Sequence, residues 1–178
     1  MAIDRYTKDY QLKDSVDERG RIHTETEYIG KYYVFSSGVQ SARTAGKRLA
    51  LLSGLSWFSF LSALSFPSTT GHTFYALLPC VFLALPLWLL STVAFSALRV
   101  KEPFIHREAD RFSLRLPAAA TVASVLSFLA ILGGACSLIF GTMPTRIGDL
   151  VFLFGNLICF ICAILCKKQM VYLAAKPQ

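Results

Sequence analysis

The chain has 178 residues, of which 54% are apolar and only 16% charged, with a mean hydropathy of +0.50. A soluble domain usually carries about 25% charged residues, so the composition argues against a soluble globular fold. The net charge of +7 raises nucleic acid as a partner. The basic residues flank apolar runs instead of gathering between aromatics, so we predict no nucleic-acid binding and favour an integral membrane protein.

Residues 1–46 are predicted to form a polar arm that contains a β-hairpin at about residues 10–35. Polar and less polar residues alternate between Tyr10 and Val16, and residues 17–20 (Asp-Glu-Arg-Gly) supply a turn. The return stretch is rich in Thr, Tyr, Ile and Val, which strands favour. The residues predicted to share one face are Ile22, Thr24, Thr26, Tyr28, Tyr32 and Val34. A lone two-stranded hairpin is marginal in water, so it should rest on a third strand, the membrane surface or a partner.

Four apolar segments follow, at about residues 49–66, 74–98, 116–140 and 147–166. Their lengths match the roughly 20 helical residues that cross a hydrocarbon core. They contain no Lys, Arg or Glu, and their one acid is Asp149. Because lipid offers the backbone no hydrogen-bond partners, helix is the expected state. We therefore predict an all-α polytopic membrane protein, in which a four-transmembrane-helix bundle (residues 47–178) carries a small cytoplasmic N-terminal β-hairpin.

The distribution of basic residues predicts the orientation of the chain. Of the 18 Lys and Arg residues, all but Arg146 lie on the side of the two termini and of the connection between the second and third spans. Basic residues concentrate in cytoplasmic segments of membrane proteins. Both termini are therefore predicted to be cytoplasmic, with the plasma (cytoplasmic) membrane as the expected location.

Small residues on the third span predict how the helices pack. Ala120, Ala123, Ser127, Ala130, Gly134, Ser137 and Gly141 recur at spacings of three and four. Such a 3.5-residue period implies a left-handed crossing, and small side chains let helix backbones approach closely in lipid. The fourth span offers a comparable strip, formed by Gly148, Gly155, Cys159, Cys162 and Cys166. We predict an antiparallel hairpin of the third and fourth spans with these two faces in contact.

Two further stretches carry structural signals. Pro79 and Pro86 lie inside the second span and are expected to bend it, because each removes an amide donor. Residues 111–116 alternate polar and apolar side chains. They fit either a third strand beside the hairpin or a basic, amphipathic lead-in to the third helix, and Pro117 favours the lead-in.

Few residues suggest chemistry. Cys159 and Cys162 have the spacing of a metal or redox pair, but a structural zinc site needs four ligands and no second pair exists. We interpret both cysteines as packing residues, and Cys166 as a possible palmitoylation site. The three histidines (His23, His72 and His106) fall on a strand, an outer loop and an inner loop, so they are not expected to share a metal.

Polar groups inside a membrane are functional hypotheses by default. The candidates here are Asn156, and Asp149 together with Arg146. Asn156 is expected to hydrogen-bond to a serine of a neighbouring helix. Asp149 is expected at the membrane interface, where a carboxylate stabilises a helix N-terminus.

The sequence thus predicts a non-enzymatic multi-pass membrane protein, acting as an accessory or scaffold subunit. Residues 1–45 would dock a protein partner or the bilayer surface, and a homo-oligomer is also possible. No catalytic residue, cofactor or metal is predicted, since no known catalytic or nucleotide motif is present. The alternatives are a small oligomeric transporter or channel, and a lipid-modifying enzyme dependent on His106, Glu108 or Asp110 of the inner loop.

Overall fold

The computed structural model describes residues 9–16, 22–68, 70, 73–99, 102–140 and 147–177. In chain order its elements are β1 (Tyr10–Val16), β2 (Ile22–Tyr28), β3 (Tyr33–Phe35), α1 (Val39–Ser65), α2 (Phe74–Phe82), α3 (Ala84–Arg99), α4 (His106–Asp110), a π-helical segment (Arg111–Arg115), α5 (Leu116–Phe140), α6 (Ile147–Lys168), a 3₁₀ segment (Gln169–Leu173) and β4 (Ala175–Pro177). The chain is therefore mainly helical, with short strands near both ends.

Each predicted span corresponds to helical structure that is long and apolar enough to cross a membrane. The helices of the third and fourth spans, α5 and α6, begin at Leu116 and Ile147, as predicted. In contrast, α1 begins at Val39, well before the apolar run that starts near residue 49. Its early turns are helical because small residues there pack closely: Gly46, for example, lies against Ala97 of α3.

The second span is interrupted at Leu83, between its two prolines. The Leu83 N–H donates to the carbonyl oxygens of both Pro79 and Cys80, at 3.1 Å each. Pro86 has no N–H to bond the carbonyl of Phe82 one turn earlier, so the regular α-helical ladder cannot continue through this point. The helix is thus interrupted between the two prolines, at Leu83, whereas a bend was predicted at each proline.

Residues 111–115 are helical and run directly into α5, so the lead-in interpretation is confirmed and the third-strand alternative is wrong. Phe112 is fully buried at this point. Arg111 also donates from Nη1 to the hydroxyl of Ser96 on α3 at 3.1 Å. Burying an aromatic side chain while holding a cation at the helix surface favours helix over an exposed strand here.

The predicted hairpin is confirmed in its first part, where β1 and β2 pair antiparallel from Tyr10↔Tyr28 to Val16↔Ile22. Its turn at residues 17–20, and the side chains of Ile22 and Thr24, lie outside the described residues. The predicted extension of the return strand to Phe35 is wrong. Tyr33–Phe35 instead pairs with β4, because Phe35 is drawn into a buried aromatic cluster at the end of the bundle.

In the bundle, α5 and α6 make the most extensive helix contact, followed by α1 with α6 and α1 with α3. The predicted small-residue seam of α5 is buried over its first five members (Ala120, Ala123, Ser127, Ala130 and Gly134), while Ser137 is half-buried. Gly141 lies outside the described residues. A Cβ on Gly134 would lie 2.7 Å from the Leu153 Cδ2 of α6, so no larger residue fits there without movement.

The predicted partner of the α6 strip is wrong, because that strip faces α1 and the connection after it. A Cβ on Gly155 would lie 2.8 Å from the Ser59 carbonyl oxygen, and the Cys159 thiol donates to the Ser56 carbonyl at 3.3 Å. The α5 seam receives larger α6 side chains such as Leu153. Small residues on α6 let the α1 backbone approach, whereas small residues on α5 make room for larger side chains of α6.

Candidate functional site

One end of the bundle carries both strand pairs, and we call it the inner end. Its core is an aromatic cluster of Phe35, Phe104 and Phe112, whose ring centroids lie 4.7 to 6.1 Å apart. The Phe35 N–H donates to Glu102 Oε1 at 2.7 Å. The backbones of Tyr33 and Phe104 exchange two hydrogen bonds, of 2.8 and 3.0 Å. The segment before α1 is therefore fixed to the connection between α3 and α5.

His106 joins the hairpin to this end of the bundle. Its Nδ1 lies 3.2 Å from Asp9 Oδ2, and its Nε2 lies 3.6 Å from Asp110 Oδ1. The imidazole also stacks on the Tyr33 ring, with centroids 5.5 Å apart and planes 18° apart. Both ring nitrogens thus face carboxylates: Nδ1 is within hydrogen-bond distance of Asp9, and Nε2 is within ion-pair distance of Asp110. We call the Asp9–His106–Asp110 contact the His106 latch.

Tyr28 supports the same junction. Its hydroxyl accepts the backbone N–H of His106 at 3.1 Å and donates to the Lys31 carbonyl at 2.9 Å. Burial raises the pKa of the Tyr28 hydroxyl, and the nearby Asp9 carboxylate raises it further, while the bond from His106 acts in the opposite direction. The hydroxyl therefore remains protonated at neutral pH and keeps its bond to Lys31.

The hairpin carries exposed apolar side chains. Leu12 is 71% exposed and Ile29 is 57% exposed, and Tyr10 and Tyr32 are also exposed. Within the described residues, neither β1 nor β2 pairs with any further strand. The hairpin thus presents unpaired backbone edges together with apolar side chains, which is a template for pairing with another chain.

The opposite, outer end of the bundle contains Asp149, which is fully buried. Its Oδ1 accepts the backbone N–H of Thr70 at 2.8 Å. Beside it, a Cβ on Gly148 would overlap the Pro67 carbonyl oxygen, so only glycine allows this approach. Asp149 does not face water as expected for an interfacial residue, because it holds the connection after α1. Its predicted neighbour Arg146 lies outside the described residues. We call this arrangement the outer clasp.

Asn156 is also buried, but its predicted serine partner is wrong. Its Nδ2 donates to the Phe152 carbonyl one turn earlier in α6, at 2.9 Å, and its side chain contacts the Cys80 thiol. The Ser127 hydroxyl, which is fully buried on α5, has no hydrogen-bond partner among the described residues. A short amide side chain readily bonds its own helix, so Asn156 acts here as a packing residue.

All five cysteines are free, and only Cys136 is exposed. Cys166 has no exposed surface, which makes the palmitoylation hypothesis wrong for this conformation. No group of three or more His, Cys, Asp or Glu side chains in the described part of the chain could hold a metal ion. Of the inner-loop residues considered for catalysis, His106 and Asp110 meet, whereas Glu108 lies in the first turn of α4.

Sequence reasoning missed Asp9, Tyr28 and Tyr33 as partners of His106. The spacing of His106 and Asp110, four residues apart on a helix, was the one local signal available. The other contacts join residues far apart in the chain, for which one sequence gives no signal.

No family model matches this sequence, no curated protein is similar to it, and no solved structure matches its fold. The fold itself defines a class: a protein with four helices long and apolar enough to span a membrane, carrying a small strand pair near its N-terminus.

Proposed function

We propose that this chain is a non-enzymatic, multi-pass membrane protein whose N-terminal hairpin docks a protein partner in the cytoplasm. The observation that supports it best is the open hairpin itself. Among the described residues, neither strand has a further strand at its edge, and the side chains of Leu12 and Ile29 are exposed, while the base of the hairpin is fastened to the bundle through the His106 latch. A fixed base with an open surface suits a docking element.

Insertion in a bilayer explains the outer surface of the bundle. Large apolar side chains are exposed along all four helices, among them Leu51, Phe58, Leu85, Trp88, Phe95, Val122, Phe128, Phe154 and Ile161. Soluble monomers rarely expose apolar patches larger than a few hundred Å². Lipid chains can cover these faces, and the helices pair most of their backbone groups internally, as lipid requires.

The orientation follows from charge. The basic residues at the helix ends that carry the strands are Lys47, Arg48, Arg99, Arg111, Arg115, Lys167 and Lys168. The contact of Gly46 with Ala97 and the bond from Arg111 to Ser96 hold the inner turns of α1, α3 and the α5 lead-in together. By the positive-inside rule, we assign this end, with the hairpin, to the cytoplasm and favour the plasma membrane.

The chemistry of the hairpin indicates the kind of partner. An extended segment could add a strand to the edge of β1 through main-chain hydrogen bonds, with Leu12 contacting its side chains on one face. We therefore propose a partner that contributes a strand with alternating apolar residues.

Transport is the weaker hypothesis. The helices contain no Lys, Arg or Glu in their apolar spans, and the buried Asp149 is already bonded to the Thr70 backbone. An enzymatic role centred on His106 and Asp110 would leave the contact of His106 with Asp9 unexplained.

The test is purification of the tagged full chain in a mild detergent, followed by mass spectrometry of co-purifying proteins. Leu12→Asp should reduce recovery of a stoichiometric partner about tenfold, because it places a charge in the contact surface. Val171→Asp is the matched control, since Val171 is 70% exposed at the inner end but lies outside the hairpin.

Equal recovery with Leu12→Asp and wild type would rule out hairpin docking. A homo-oligomer without any partner would favour transport instead. A deletion, if used, should end before Tyr33, because Tyr33–Phe35 belongs to the core of the inner end. Retention in the membrane after an alkaline wash tests insertion separately.

A further inference from the structure

A polar cavity of about 300 Å³ lies beside the inner end of α1. Its polar lining consists of Gln40, Ser41, Thr44 and Arg48 from α1, with Gln169 and Tyr172 from the 3₁₀ segment. This volume is at the lower limit of small-molecule pockets, which span roughly 300–1,000 Å³. The cavity lies outside the hairpin and the His106 latch.

The two walls of the cavity are held in place by backbone-directed bonds. Ser37, just before α1, donates from its hydroxyl to the Tyr172 carbonyl at 2.6 Å. The neighbouring Ser36 donates its N–H to the Ala174 carbonyl at 2.9 Å and its hydroxyl to the same oxygen at 3.0 Å. The 3₁₀ segment is thus fixed against the start of α1, so the cavity exists before any ligand binds.

The electrostatics of the cavity favour an anion. Arg48 is the one charged residue in its lining, and none of the lining residues is acidic. Lys47 precedes Arg48 on α1, and Lys168 precedes Gln169. The hydroxyls of Ser41 and Tyr172 supply uncharged donors, whereas the Thr44 hydroxyl already donates to the Gln40 carbonyl at 3.0 Å.

We propose that this cavity binds the phosphate headgroup of an anionic phospholipid from the cytoplasmic leaflet. The Arg48 guanidinium pairs with the phosphate through two parallel hydrogen bonds, a geometry that arginine provides and lysine does not. Arg48 immediately precedes the apolar run that begins at Leu49, which sets the cavity at headgroup depth. The inference therefore rests on the proposed membrane insertion, and it identifies the lipid as a specific ligand of the inner end.

The test is native mass spectrometry of the detergent-purified full chain with three probes: dioctanoyl phosphatidylglycerol, dioctanoyl phosphatidylcholine and inorganic phosphate. Wild type should bind the anionic lipid at least about tenfold more tightly than the zwitterionic one. Arg48→Gln should weaken binding of the anionic lipid about tenfold, as expected for loss of a charge-assisted pair. The lipid affinity of Arg48→Lys should fall between those of wild type and Arg48→Gln, because lysine keeps the charge but cannot form two parallel hydrogen bonds.

Arg43→Gln is the matched control, because it removes the same charge from the same helix outside the cavity lining. It should change lipid affinity less than about twofold, because exposed charges act weakly through solvent. Equal weakening by the two glutamine variants would show diffuse surface attraction and overturn the site. Inorganic phosphate binding as tightly as the lipid would overturn the lipid assignment in favour of a soluble phosphate ligand.

A third measurement separates this inference from membrane insertion. If the protein resists an alkaline wash of native membranes but shows no preference for the anionic lipid, the lipid site is wrong and the membrane architecture stands. If the wash releases the protein, the basis of both proposals fails. Ser41→Ala supplies a second variant inside the cavity, and it should weaken lipid binding about twofold without changing any charge.

Discussion

The two ends of the bundle are closed in different ways. At the outer end, the connection after α1 is drawn onto α6 by the buried Asp149 carboxylate and by the close approach at Gly148. At the inner end, a cluster of three buried phenylalanines and a strand pair form the closure, and the exposed hairpin lies beyond them. The outer end has a structural role in every contact described, whereas the inner end combines a firm base with an open surface. Binding functions are therefore expected at the inner end.

The largest expected effect concerns the aromatic cluster of Phe35, Phe104 and Phe112 at the inner end. Phe112→Ala should lower the free energy of unfolding by about 3–5 kcal/mol, because it empties a fully buried aromatic site. Thermal unfolding in detergent would measure the loss. Phe58→Ala, at a position that is 71% exposed, should have little effect. Similar losses for both variants would contradict the assigned core.

At the outer end, Gly148→Ala should cost about 3 kcal/mol, because the added Cβ meets the backbone carbonyl of Pro67 and a backbone cannot easily yield. Gly54→Ala is the matched control, since nothing lies within 4 Å of a Cβ there. That variant should be neutral or slightly stabilising, as alanine is for a helix. The same thermal unfolding assay applies, and an unaffected Gly148→Ala variant would disprove the close approach.

Asp149→Ala should cost about 1–3 kcal/mol, because it leaves the buried N–H of Thr70 without its acceptor. Asp110→Ala removes a carboxylate of the inner end that is partly exposed, and its cost should stay below about 1 kcal/mol. If the two variants lose equal stability, the contrast between the two ends is not one of buried against solvated carboxylates.

The smallest expected effect concerns the His106 latch. His106→Gln should leave the unfolding temperature of the bundle almost unchanged, because the latch is partly solvent-exposed. Amide hydrogen exchange in β1 and β2 should increase about two- to fivefold, reflecting the weak but specific anchoring of the hairpin. Unchanged exchange in the hairpin would show that the latch does not hold it.

Composition and length were enough to predict the four helices and the β1–β2 pair, because a long uncharged run and an alternating polar stretch are local signals. The pairing of β3 with β4 was not predictable in this way. Strands of three residues show no periodicity. The contact also joins Phe35 to Ala175, which are separated along the chain by all four helices.

The candidate site was less accessible to sequence reasoning than the fold. Periodicity identified the small faces of α5 and α6 but not which neighbour each face meets, since both helices contact more than one other helix. Asp149 was expected to face the interface. Its burial was not predictable, because it depends on where the connection after α1 lies. The contact of His106 with Asp9 was not predicted, because Asp9 reaches it only through the folded hairpin.

The pairing of β3 with β4 carries a consequence for how the protein is assembled. In the proposed membrane topology, the two strands can meet only if Tyr33 and Pro177 lie on the same side of the bilayer, which requires an even number of crossings between them. Strand β4 is also synthesised after all four helices. A chain that inserts only three of the helices would therefore leave β3 without its β4 partner. The formation of this small sheet would then report whether all four helices had been inserted.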